Sequence, residues 1–148
     1  MAGSTLLQKL DGGSDFGAST SNRRQVEIFL ASAAIVKGEV VMFDDTKTGA
    51  DRALSVKQAA VVATGNGLAA GVAIEAAAAA GDIVRVVIAG YVEDVKCAAG
   101  VAAGTVVNAA GAVVGEVDPS GAGDFTPFGV ALEAVAANSV DMIVYKQF

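Results

Sequence analysis

Short runs of Val and Ile closed off by glycine recur along most of this chain, and that rhythm constrains its fold more than any other feature. Val26-Glu27-Ile28-Phe29-Leu30 begins as an alternating run. Lys37-Gly38-Glu39-Val40-Val41-Met42-Phe43 is a turn followed by a strand, and Asp44 to Asp51 is a polar loop. A further short strand falls within Ser55 to Ala63, and another at Gly71 to Ile74. Asp82 to Ile88 is strongly β-branched, and Tyr91 to Val95 alternates loosely. Thr105 to Val107, Ala112 to Val114 and Gly115 to Val117 are short and bounded by glycine. Asp118 to Thr126 is a loop, and Phe128 to Leu132 and Val140 to Tyr145 close the chain. β-Branched side chains suit a pleated surface, and turn signals every 8 to 12 residues or so mark a barrel or sandwich. The sequence therefore predicts a mainly β fold, a small β-barrel or β-sandwich of many short strands.

Two segments compete for helix. Glu75 to Ala80 reads EAAAAA, and Ala is the best helix former. Six residues before Gly81-Asp82 are too few for an isolated helix, so a turn competes on equal terms. Leu132 to Ala137 poses the same choice. The two segments are also related. Gly71 to Ala79 reads GVAIEAAAA and Gly129 to Ala137 reads GVALEAVAA, with seven of nine positions identical at a spacing of 58 residues. Upstream, Lys37 to Val41 precedes the first copy as Ala103 to Val107 precedes the second. Ordered blocks in the same sequence point to pseudo-duplicated halves, about 36–92 and 103–145, inside one β domain spanning 26–148. Two copies are too few for a solenoid.

Residues 1–25 differ. They are rich in Gly, Ser, Thr and Asn, hold no sustained period, and close on Arg23-Arg24. They read as an extended N-terminal arm, either an inert tail or one that orders on a partner.

The blocks from Gly38 to Val41, Gly71 to Ala73, Ala80 to Val86, Gly90 to Val92, Gly104 to Val107 and Gly129 to Ala131, in that order, resemble the small cement, or decoration, proteins of tailed bacteriophage capsids. The resemblance covers about 36–144. It implies a structural virion protein on the capsid exterior, made in the host cytoplasm. Such proteins bind junctions between subunits of the major capsid protein and reinforce the shell. It also implies a homo-oligomer, with a trimer favoured over a dimer. The arm supplies the candidate capsid contacts: Leu6, Leu7 and Phe16 to fill grooves, Arg23 and Arg24 to meet acidic groups.

Chemistry is sparse. The chain of 148 residues has no His, which removes the commonest metal ligand and general base. Its single Cys, Cys97, cannot form an internal disulfide and lacks a His to activate it, so a half-buried inert thiol is expected. A net charge of −6 and an aromatic content of 5% argue against a nucleic-acid surface. The pairs Asp44-Asp45 and Glu93-Asp94 sit on adjacent positions, which on a strand face opposite ways and make no acid/base dyad. They and Asp118 and Asp124 read as solvated loop charge rather than a cation site. Gly65 to Gly71 misses the dinucleotide fingerprint. Lys47, in a Thr-Lys-Thr context, does not match a lipoyl or biotin carrier. Cys97 to Gly115 is uncharged but broken by glycines, so two short strands are expected there rather than a membrane span. The N-terminal MAGSTLLQKLDGG lacks the pattern of a secretion signal. No enzyme activity, metal or cofactor is expected. The competing readings are a tail or fibre component binding a receptor or glycan, and an enzyme working with carboxylates alone.

Overall fold

The computed structural model describes residues 24–62, 66–121, 124 and 126–145. The elements in chain order are β1 (Arg24–Ala31), β2 (Val40–Phe43), α1 (Gly49–Leu54), β3 (Ser55–Gln58), β4 (Ala69–Ala73), β5 (Ile83–Lys96), β6 (Val106–Ala109), β7 (Val117–Pro119), β8 (Pro127–Ala131) and β9 (Ser139–Val144). The fold is mainly β, as the sequence predicts. The strands run in the order β1-β3-β2-β4-β5-β9-β8-β6-β7, and β1 also pairs with β5. That extra pairing closes β1, β3, β2, β4 and the first part of β5 into a five-stranded barrel. The last part of β5 pairs with β9, and a parallel bridge from Cys97 to Val117 links it to β7 on the other side. One long strand thus ends the first half and begins the second.

Identical hydrogen bonds recur in the two halves. The Gly38 N–H donates to Ala73 C=O at 2.8 Å, as Gly104 N–H does to Ala131 C=O at 2.8 Å. The Ala73 N–H donates to Glu39 C=O at 2.9 Å, as Ala131 N–H does to Thr105 C=O at 2.9 Å. The repeated glutamates cap the following strands: the Arg85 N–H donates to Glu75 Oε1 and the Asp141 N–H to Glu133 Oε1. By the same register β1 corresponds to the end of β5. Ala31 pairs in parallel with Val56, as Cys97 does with Val117.

Gly71 and Gly129 show why the repeated segment must begin with glycine. A Cβ at Gly71 would fall on the Val87 carbonyl, and one at Gly129 on the Ile143 carbonyl. Both ambiguous alanine-rich segments are turns, bridged to the chain at Ile35↔Ala77 and Ala136↔Ser139.

The core forms two clusters. Phe29, Ile35, Val41, Val56, Val84, Val86 and Ile88 fill the first barrel. Val40, Met42, Val72 and Val87 point the opposite way and join Val92, Val95, Val107, Phe128 and Met142 of the second half. This is why β4 is buried at every position rather than at alternate ones. Each fully buried Val contributes roughly 1.5–3 kcal/mol, so the junction is a second core in its own right.

The structure corrects five local expectations. Gly49 to Asp51, expected to end a polar loop, open the helix α1, which runs to Leu54. Tyr91 to Val95 is not a separate strand but continues β5, with Gly90 at φ +96° and a bulge at Asp94, φ +54°. Ala112 to Val114 is turn, so Cys97 to Gly115 holds one strand instead of two, and Asp118 belongs to β7 rather than to a loop. Arg24 and Gln25, assigned to the arm, pair with Gly90 and Ala89 and so belong to the sheet.

Candidate functional site

Of the acidic residues singled out from the sequence, Glu93 and Asp94 are exposed, as expected of solvated charge, whereas Asp44, Asp45, Asp118 and Asp124 are tied into the fold. Asp44, expected to be solvated, is buried at 3% exposure. The loop after β2 folds back so that the Thr46 N–H and Oγ1 donate to Asp44 Oδ1 at 3.0 and 2.7 Å. A Ser32 hydrogen bond, the largest influence, together with Thr46 and the Lys57 ammonium 3.7 Å away, holds the Asp44 carboxyl at about 2 against the cost of burial. Lys57 also pairs with Asp45, which lowers that carboxyl and raises the lysine. A carboxylate ionised down to pH about 2 has no proton to donate near neutrality. With Leu30, Ser32, Thr46, Lys47 and Ser55, Asp44 lines an open cleft of about 320 Å³.

Glu39, Asp141, Asp118 and Asp124 are held in the same manner. Glu39, buried, accepts the Val36 N–H at 2.9 Å and pairs with Lys96 Nζ at 2.9 Å. Asp141 accepts the Tyr91 hydroxyl at 2.7 Å, which pushes the phenol well above its usual range, and also the bulged Asp94 N–H at 3.1 Å. Asp118 accepts the Ala112 N–H at 2.8 Å, and Asp124 accepts from Gly121 and Asn108. Cys97 is buried, and burial, with Asp118 and Glu116 near it, pushes the thiol up to about 11. Among the described residues no three Cys, Asp or Glu side chains gather as metal ligands. No helix among them is long and apolar enough to cross a membrane.

What the surface offers is an apolar strip. On β1 and β5, Leu30 lies opposite Ile83 and Ile28 opposite Arg85. Ile28 and Ile83 are 65% and 63% exposed, and Leu30 is also exposed. These side chains share the outward face, while Phe29 and Val84 point into the barrel. At the corresponding places of the second half stand Asp94, Lys96 and Ser139, so the fold does not require apolar residues there. The strip is not legible in the sequence because the run from Val26 to Leu30 carries apolar residues on both faces: the alternation marks the strand but not its exposed side.

Of the contact residues expected from the sequence, Leu6, Leu7, Phe16 and Arg23 lie outside the described residues. Arg24 opens β1 beside Gly90. The strip therefore lies on the strand that follows the expected arm.

No protein-family model matches the chain. No curated protein sequence matches it either. Among solved structures, the N base of the head fibre protein gp8.5 of bacteriophage phi29 is similar, with a TM-score of 0.53 and 13% sequence identity. The likeness covers 83% of this chain and 95% of that one. At that identity it is a likeness of fold.

Proposed function

We propose that this chain is a structural protein of a tailed-phage virion, lying on the capsid exterior after synthesis in the host cytoplasm. It binds the outer surface of the icosahedral shell at junctions of the major capsid protein and reinforces it as a homo-oligomer. The observation that carries this reading is the shared fold with a phage head fibre base across 95% of that protein. The cement-like order of turn-strand blocks points to the same place in the virion. An exposed aliphatic strip on a rigid barrel suits a protein partner better than a small substrate, and the carboxylates that an enzyme would need are held by Lys57, Lys96 and backbone N–H groups. Binding many copies to the assembled shell stabilises it by mass action, so each contact can be modest.

A second reading is a fibre component carrying a receptor- or glycan-binding part, favoured by the fibre identity of the similar structure. One experiment separates the two. Purified chain is incubated with expanded capsids and, separately, with tails of the source phage. Stoichiometric co-sedimentation with capsids and a raised shell melting temperature support the cement reading. Binding to tails alone, or to neither, overturns it.

A further inference from the structure

The two halves meet through a junction whose parts recur, uncovered, at the two ends of the molecule. On the first-half side, the turn before β2 presents Gly38, Glu39 and Val40, all buried. Against it stands the end of β5. The Lys96 N–H donates to Gly38 C=O at 2.8 Å, Lys96 Nζ pairs with Glu39 at 2.9 Å, and Lys37 Nζ lies 3.9 Å from Asp94. Gly115, two residues before β7, completes the contact: the Val40 N–H donates to Gly115 C=O and the Gly115 N–H to Ala59 C=O.

Each part has a counterpart by register. The turn Ala103-Gly104-Thr105-Val106 makes the same bonds to Ala131 that Gly38 and Glu39 make to Ala73, yet its Gly104 and Val106 are exposed. Ile74 packs against the shared core, while its counterpart Leu132 is exposed. At the other end, Ile28 and Leu30 hold the places of Asp94 and Lys96, and Leu54, before β3, holds that of Gly115 before β7. These three are exposed as well. One side therefore carries an exposed turn, and the other an exposed aliphatic face on β1, whose Leu30 is paired with Ser55 of β3 where Lys96 meets Gly38.

The chemistry changes on both sides together. Inside, Lys37 faces Asp94 and Glu39 faces Lys96. At the open ends the matching places are Ala103 with Ile28 and Thr105 with Leu30, uncharged throughout. Packed side chain to side chain, these faces would bury aliphatic surface and strand no charge.

We propose that the chain self-associates head to tail, the Ala103–Val106 turn of one copy packing on the exposed Ile28 and Leu30 side chains of β1 of the next. This deepens the homo-oligomer part of the function proposed above. A heterologous contact of this kind closes into a ring where its rotation permits and otherwise grows into a filament.

The test uses full-length Leu30→Cys and Thr105→Cys chains and a short thiol-specific cross-linker, with the parent chain, whose Cys97 is buried, as control. A cross-linked dimer is expected in the mixture of the two variants and not in either alone. The Ile28→Glu, Leu30→Glu double variant, folded by circular dichroism, is expected to weaken self-association at least tenfold in sedimentation velocity. A monomeric parent, an oligomer indifferent to the double variant, or a Leu30→Cys chain that cross-links to itself as readily as the mixture overturns the proposal. Capsid co-sedimentation of parent and double variant, measured in parallel, separates this failure from that of the proposed function. Where self-association fails yet both still bind, the interface falls and the capsid reading stands.

Discussion

Replacing Asp44 by Asn isolates one buried charge. The side chain keeps its size and an acceptor oxygen for Thr46, so the substitution removes mainly the carboxylate's ionic preference for its site. In the folded chain the Asp44 carboxyl titrates at about 2, against 3.8 for an unperturbed group. Each unit of difference is about 1.36 kcal/mol, so ionised Asp44 stabilises the fold by about 2 kcal/mol. Because the folded value is the lower one, that stabilisation is complete above the unfolded value of 3.8 and is lost as pH falls toward 2. Urea unfolding of parent and Asp44→Asn at pH 7, 5, 3 and 2 reads it directly. The gap between the two is expected to be about 2 kcal/mol at pH 7 and 5 and to close by pH 2. A gap of equal size at pH 7 and pH 2 would mean that shape rather than charge sets the cost. No gap at pH 7 would mean that the Ser32, Thr46 and Lys57 contacts do not favour the ionised form.

Three further outcomes are expected. Gly71→Ala and Gly129→Ala each force a Cβ onto a neighbouring backbone carbonyl, and each should lower the unfolding free energy by about 1–3 kcal/mol in denaturant titration; Gly67→Ala, with open space around it, serves as the neutral control. Cys97 should resist a thiol reagent at pH 8 in the native chain and react at once in denaturant, since burial holds its thiol at about 11; rapid native labelling would contradict its placement. Deleting residues 1–23, which stops short of β1, should abolish capsid co-sedimentation while leaving the β circular dichroism signal intact; retained affinity would place the capsid contact on the barrel.

The parts of this fold that local chemistry sets were legible in the sequence. β-Branched runs between glycines located most of the strands. The repeated Gly-Val-Ala-[Ile/Leu]-Glu segment was visible because its chemistry leaves little choice: the glycine lies where two strands touch, and the glutamate caps the next strand. What depends on distant partners was not legible. Nothing near Val26 to Leu30 says that this strand closes a barrel against β5, or that Ile28 and Leu30 stay outside. Asp44 looked like loop charge because Ser32 and Lys57, which hold it, are remote in sequence. Val113 and Val114 looked like strand on propensity alone, yet lie exposed in a turn that leads to Gly115, the residue meeting Val40 and Ala59. Helix α1 rests on six residues with none buried, a length at which propensity carries little information.

Decoration of the outside of a phage head, as proposed, is tested most directly by electron cryomicroscopy of intact virions made from the genome that encodes the chain. Density fitting the β1–β9 body is expected at repeated sites on the outer capsid surface and is lost when the gene is deleted. The chain's absence from virions, or density confined to the tail, would contradict it.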